Sequence, residues 1–151
     1  MKLAESVKKA KRTYLCGNGG SAANAIHIAN DLVSVGIRAQ ALTDIATLTA
    51  IANDYSYGAV FSRQLKVFAE PGDLLIALSG SGNSPNIVEA LEAAKEKGME
   101  TWAIVGAYQK TRAEGLADNT IKSGEDMQSA ERHQITIGHR LMKWLRDLKG
   151  S

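Results

Sequence analysis

Residues 13–35 read TYLCGNGGSAANAIHIANDLVSV, and the order of residue types within them decides the fold. Thr13–Cys16 is an apolar run of strand length that breaks into glycines at Gly17, Gly19 and Gly20. From Ser21 to Val35 the residues Ala22, Ala25, Ile26, Ile28, Ala29, Leu32 and Val33 recur near the three-to-four spacing of an amphipathic helix. Ser21 is a natural N-cap for it, because a serine hydroxyl accepts one of the amides that a first turn leaves unpaired. Strand, glycine turn and helix in immediate succession open a βαβ unit.

Outward from this stretch the alternation continues. Strand-like runs fall at Arg38–Leu42, Asp73–Leu78 and Thr101–Val105, with a weaker one at Asn119–Ile121. Helical patterns lie between and after them, at Thr47–Ala52, Gly58–Ala69, Pro85–Lys97 and Met127–Leu148. In the third of these Ser84 is the expected cap, Pro85 takes the first helical position, and Gly98 ends the helix. Strands alternating with helices across short loops imply an α/β fold, a doubly wound and mostly parallel five-stranded sheet sandwiched by helices. Its 151 residues suit one domain, residues 1–151, with a full core.

Composition excludes several classes of function. A net charge of +2 arises from 18 basic and 16 acidic residues with no long run of one sign, so a nucleic-acid footprint is not expected. Lys8, Lys9, Lys11 and Arg12 read as a solvated helix end. Cys16 has no second cysteine to pair with and reads as a buried thiol in a reducing compartment. No stretch of about 18 apolar residues occurs, and the opening MKLAESVKKAK lacks a signal-peptide core. The expectation is a cytoplasmic protein without a membrane partner.

Two loops carry the chemistry. Gly17-Asn18-Gly19-Gly20-Ser21 joins the first strand to its helix, where glycines admit a close ligand and helix amides attract an anion. Taken alone it also fits a dinucleotide fingerprint, with Gly17, Gly19 and Ala22 at the right spacing and Asp44 downstream. Ser79-Gly80-Ser81-Gly82-Asn83-Ser84 follows the third strand and again opens a helix. A second cradle rich in hydroxyls suits a phosphate monoester better than a nicotinamide cofactor, so no nucleotide cofactor is expected.

His27 and Asp31 stand four residues apart on the first long helix and share a face. Glu131 and His139, eight apart on the last helix, return to nearly the same face. Two imidazoles and two carboxylates form a reasonable ligand set for zinc or a similar divalent ion if they meet. The alternative is a core His27 with one hydrogen bond and three surface residues. His133 reads as exposed. On the last helix, Ile135, Leu141 and Trp144 suit either a subunit interface or packing on the sheet.

These motifs together resemble the sugar isomerase (SIS) domain family, and within it the phosphoheptose isomerases. The resemblance rests on GNGGSAA with His27 and Asp31, IANDYSYGAVFSRQ, SGSGNSPNI, EKGM, and a last helix with Glu131 and His139. It implies a flavodoxin-like SIS domain and an aldose–ketose isomerase converting sedoheptulose 7-phosphate to D-glycero-D-manno-heptose 7-phosphate, as a homotetramer. By matching position it implies that Ser79, Ser81 and Ser84 hold the phosphate. Asn18, Gly19, Ser21, Asn53, Asp54 and Glu131 would then line the substrate. It further implies Asp31 and His139 as the catalytic pair, and His27, Asp31, Glu131 and His139 as ligands of Zn2+. Asp31 stands where the family has glutamate and Glu131 where it has glutamine. A non-catalytic SIS module, a sugar-phosphate sensor or a replication-initiation partner, is the alternative, since such a protein keeps both loops without needing an acid and a base.

Overall fold

The computed structural model describes residues 1–150. Its elements in chain order are α1 (Lys2–Lys9), β1 (Thr13–Gly17), α2 (Gly20–Ser34), β2 (Ala39–Ala41), α3 (Ile45–Asp54), a 3-10 turn (Tyr57–Ala59) and α4 (Ser62–Phe68). There follow β3 (Leu74–Ser79), α5 (Pro85–Glu96), β4 (Glu100–Val105), α6 (Arg112–Leu116), β5 (Asn119–Lys122) and α7 (Met127–Lys149). The five strands form one sheet in the order β2-β1-β3-β4-β5. All four pairings are parallel, so the sheet is wholly rather than mostly so.

Side-chain alternation divides the core into two layers. Leu15, Leu74, Ile76, Leu78, Trp102 and Ile104 face α1, α2 and α7, while Tyr14, Cys16, Leu75, Ala77, Ala103 and Val105 face α3 to α6. Every residue of β1 and β3 is buried, as a central parallel strand covered on both faces requires. Losing one such leucine to alanine costs about 2–5 kcal/mol. Cys16 is fully buried, and burial pushes its thiol up to about 12, which leaves it without nucleophilic character.

Several local expectations need correction. Ser21 is not the cap of α2: Gly19 takes that position at φ +54°, and Ser21 sits buried inside the first turn. Ile26 and Val33, expected within the buried stripe, are 52% and 55% exposed. Ser84 stands at the N-cap of α5, yet its hydroxyl makes no cap bond. The helix expected over Gly58–Ala69 is a 3-10 turn followed by a shorter α4. Leu141 packs in the core on the sheet's α7 side. His133 is exposed, as expected. The basic cluster at Lys8 and Lys9 does end a helix, α1, which buries Leu3, Ala4 and Val7; α6, which opens with a Thr111–Glu114 capping box, was not foreseen.

Candidate active site

The sheet order reverses direction between β1 and β3, and open α/β sheets receive ligands beyond the strand ends at such a point. Both glycine- and serine-rich loops leave those two adjacent strands, so both helix N-termini, of α2 and α5, face one crevice. There Asn18, Gly19, Gly20, Ser21, Ser79, Gly80, Ser81, Ser84, Met127 and Glu131 line a cleft of about 240 Å³. Seven of the nine residues expected to touch substrate are thus together; Asn53 and Asp54 are not. That pair ends α3, exposed, with Asn53 Nδ2 donating to Asp54 Oδ1 at 3.1 Å.

Within the second loop the hydroxyls organise the backbone. Ser79 Oγ accepts from the Gly82 amide at 3.0 Å and Ser81 Oγ from the Asn83 amide at 3.2 Å. Those two amides are therefore spent internally, and Pro85 has none to give. The hydroxyls of Ser79, Ser81 and Ser84 line the cleft beside the N-terminus of α5 and are donors that the loop can offer an anion. Gly82 adopts φ +65°, and a Cβ there would collide with the Thr111 side chain, so only glycine fits. Asn83 Nδ2 donates to the Lys110 carbonyl while its Oδ1 accepts from the Arg112 amide, which ties the loop to α6.

Residues that sequence reading did not single out brace the cleft. Asn18 and Asn86 exchange two bonds, Asn18 Nδ2 to Asn86 Oδ1 and Asn86 Nδ2 to Asn18 Oδ1, both at 2.8 Å. Tyr57 Oη adds a third, donating to Asn18 Oδ1 at 2.9 Å. Both residues lie inside stretches quoted above, and a polar side chain in the first turn of α5 was the available signal for Asn86. Met127 closes one side of the cleft, over Gly80.

A second cluster lies along the seam of α2 and α7. His27 Nε2 stands 3.2 Å from His139 Nε2 and 3.3 Å from Asp31 Oδ2. Donors about 2.0–2.1 Å from one tetrahedral ion stand about 3.3 Å apart, so this spacing fits a shared zinc. The donor chemistry fits as well, two imidazoles and one carboxylate. Glu131 does not join them. Eight residues of helix amount to about 12 Å of axial rise, and its carboxylate instead lies over Gly20, where a Cβ would meet it at 2.5 Å. Asn24 holds the two helices in register by donating to the Glu131 carbonyl and to Gln134 Oε1, at 2.9 and 2.8 Å.

Asp44, the acid of the dinucleotide fingerprint, caps α3 instead. Its carboxylate accepts the amide and the hydroxyl of Thr47 at 2.9 and 2.8 Å, which together hold its pKa below the ordinary range. No helix among the described residues is long and apolar enough to cross a membrane.

Residues 1–106 match the model of the SIS domain. A phosphoheptose isomerase of Thiobacillus denitrificans is 42% identical over 126 residues, covering 79% of this chain and 64% of that protein. One from Rhodospirillum rubrum is 39% identical over 151 residues, covering 94% and 79%. The solved phosphoheptose isomerase of Neisseria gonorrhoeae superposes with a TM-score of 0.88 at 32% identity, over 95% of this chain and 83% of that one. That of Francisella tularensis, at 24% identity and a TM-score of 0.89, shares the fold. The chain therefore belongs to the SIS domain family and, within it, to the phosphoheptose isomerases.

Proposed function

We propose that this chain isomerises sedoheptulose 7-phosphate to the aldose D-glycero-D-manno-heptose 7-phosphate, a step toward heptose synthesis. The observation that carries the reading is the convergence of both anion loops at the switch point of the sheet, with the His27–Asp31–His139 cluster farther along α2. The relatives described above are named phosphoheptose isomerases, which supports the reading.

The serine hydroxyls of the second loop bind the phosphate, and this remote grip contributes orientation rather than chemistry. Asn18, Gly19, Ser21 and Glu131 meet the sugar. Six residues of α2, about 9 Å of helix axis, separate Ser21 from His27. An extended heptose chain of six carbon–carbon bonds, each about 1.5 Å, covers a comparable span. Phosphate at C7 and reacting carbons C1 and C2 thus lie at opposite ends of one molecule, as the two clusters do.

Asp31 takes the proton from C1 as general base and, as the carboxylic acid so formed, returns a proton to C2, while His139 moves the proton from the C1 hydroxyl to the C2 oxygen as the enediolate forms and collapses. His27, Asp31 and His139 would hold a zinc ion, which when bound supplies Lewis-acid polarisation of the carbonyl and hydroxyl oxygens. Asp31 is one methylene shorter than glutamate, and its contact with His27 supports the view that the shorter side chain still reaches the cluster.

Ile26 and Val33 leave an apolar rim on α2 near this cluster, which supports a homo-oligomer, a tetramer in our reading, whose second copy dries the site. A phosphorylated substrate and an unpaired buried thiol suit a cytoplasmic enzyme. A non-catalytic sensor would have no use for the imidazole–carboxylate cluster. The test is conversion of sedoheptulose 7-phosphate with and without zinc, repeated with Asp31→Ala and His139→Ala. Loss of on the order of 100-fold or more in kcat for each is expected for a proton-transfer group; conversion indifferent to both changes overturns the proposal.

A further inference from the structure

The Asn18 carboxamide is unusually committed for a side chain that lines a ligand cleft. Its oxygen accepts two hydrogen bonds, from Asn86 Nδ2 and Tyr57 Oη, which uses both lone pairs. One of its two N–H groups goes to Asn86 Oδ1. An amide has four hydrogen-bonding positions, and three are taken; the position left over is a donor. Asn18 lines the cleft, whereas Asn86 is 2% exposed and is absent from the cleft wall.

The three residues come from distant places in the chain. Asn18 belongs to the loop after β1, Tyr57 to the 3-10 turn after α3, and Asn86 to the first turn of α5, directly behind the serine loop. A reciprocal pair of amides admits one relative orientation, since turning either amide over sets oxygen against oxygen and N–H against N–H. The pair therefore couples the two amides and sets the separation of the two anion loops, and the Tyr57 hydroxyl donating to Asn18 Oδ1 marks the side on which the Asn18 oxygen lies, away from its free donor.

We propose that Asn86 is a positioning residue. It keeps the Asn18 oxygen turned away from the ligand, reserves one Asn18 N–H for the bound sugar phosphate, and makes the two loops a single rigid bed, with Tyr57 as the outer brace. The proposal rests on the sugar-phosphate reading above. Preorganisation of this kind acts on binding, because groups that are already aligned lose less freedom when the ligand arrives.

A double-mutant cycle tests it. Asn18→Ala and Asn86→Ala should each raise KM for sedoheptulose 7-phosphate about tenfold, with a smaller change in kcat, and the double variant should stay near tenfold because one unit is lost once. Tyr57→Phe should raise KM about threefold. Asn86→Asp keeps the side-chain volume and the acceptor for Asn18 Nδ2 but, when ionised, not the donor to Asn18 Oδ1. It should match Asn86→Ala in KM while melting closer to the parent, which keeps the test open if alanine fails to fold. Should the parent chain turn over no sugar phosphate, the same cycle is read from calorimetric titration with sedoheptulose 7-phosphate, so failure of the isomerase reading and of this one remain separable. Losses that multiply to about a hundredfold in the double variant, or melting temperatures that fall while KM stays put, overturn it.

Discussion

Ser79 and Ser84 both line the cleft proposed to take the phosphate, but only Ser79 also holds up the loop, and this difference can be measured. Ser79 is 5% exposed and its Oγ is the acceptor for the Gly82 amide at 3.0 Å. Ser79→Ala leaves that N–H in a buried loop without a partner, which costs about 1–3 kcal/mol. At about 3 °C per kcal/mol for a chain of this length, the melting temperature should fall by about 3 to 9 °C. Ser84 is partly exposed and has only a long contact, 3.5 Å, to Ser81 Oγ. Ser84→Ala should therefore cost about 0.5 kcal/mol or less, a change of about 1 to 2 °C. Both should weaken sugar-phosphate binding, since a charge-assisted hydrogen bond contributes about 1.5–3 kcal/mol, or on the order of 10- to 100-fold in affinity. Thermal unfolding without ligand and calorimetric titration with sedoheptulose 7-phosphate separate the two effects. Equal melting temperatures for both variants, or undiminished binding by Ser79→Ala, would refute the reasoning.

Three further outcomes follow from the same geometry. His27→Ala and His139→Ala should each weaken zinc on the order of 100-fold, while Glu131→Gln stays within about threefold, read by competition with a chromophoric chelator; a large loss with Glu131→Gln would place that residue among the ligands. Gly82→Ala forces a side chain into positive φ and against Thr111, so it should cost about 1–3 kcal/mol from backbone strain alone and abolish phosphate binding. Asp44 and Asp126 have carboxyls held low, the first chiefly by the Thr47 amide and the second by the Ser129 amide. A lowered folded-state pKa gives stability that is present above the ordinary carboxylate value of about 4 and lost as pH falls through the folded value. The double change Asp44→Asn, Asp126→Asn keeps a capping side chain but removes the titration, so the melting temperature should change little at neutral pH and decline less steeply in acid.

The architecture was legible because its strands are well separated and the central ones are largely apolar. Leu74 to Leu78 could be little else than a central parallel strand, and the Ser84-Pro85 start and Gly98 stop bracket α5 without ambiguity. Frame was harder where small residues run together. Gly19, Gly20 and Ser21 can each begin a helix, and positive φ at Gly19 places the cap two residues earlier than the serine suggests. The capping box at Thr111 and Glu114 was readable but encloses a helix of five residues, too short to show periodicity.

The site divides along the same line. His27 and Asp31 at four-residue spacing had to share a face, and they do. Glu131 and His139 at eight share a face too, yet a face says nothing of axial distance, and that distance separates their roles here. The Asn18–Asn86 and Asn18–Tyr57 bonds join positions 68 and 39 residues apart, a relation that no local pattern encodes.

Incubation of the zinc-loaded protein with sedoheptulose 7-phosphate in D2O, followed by NMR, tests the central claim most directly. An aldose 7-phosphate carrying solvent deuterium at C2 is the expected product, formed through an enediolate after Asp31 removes the C1 proton. Recovery of unchanged, unlabelled ketose at saturating substrate would contradict it.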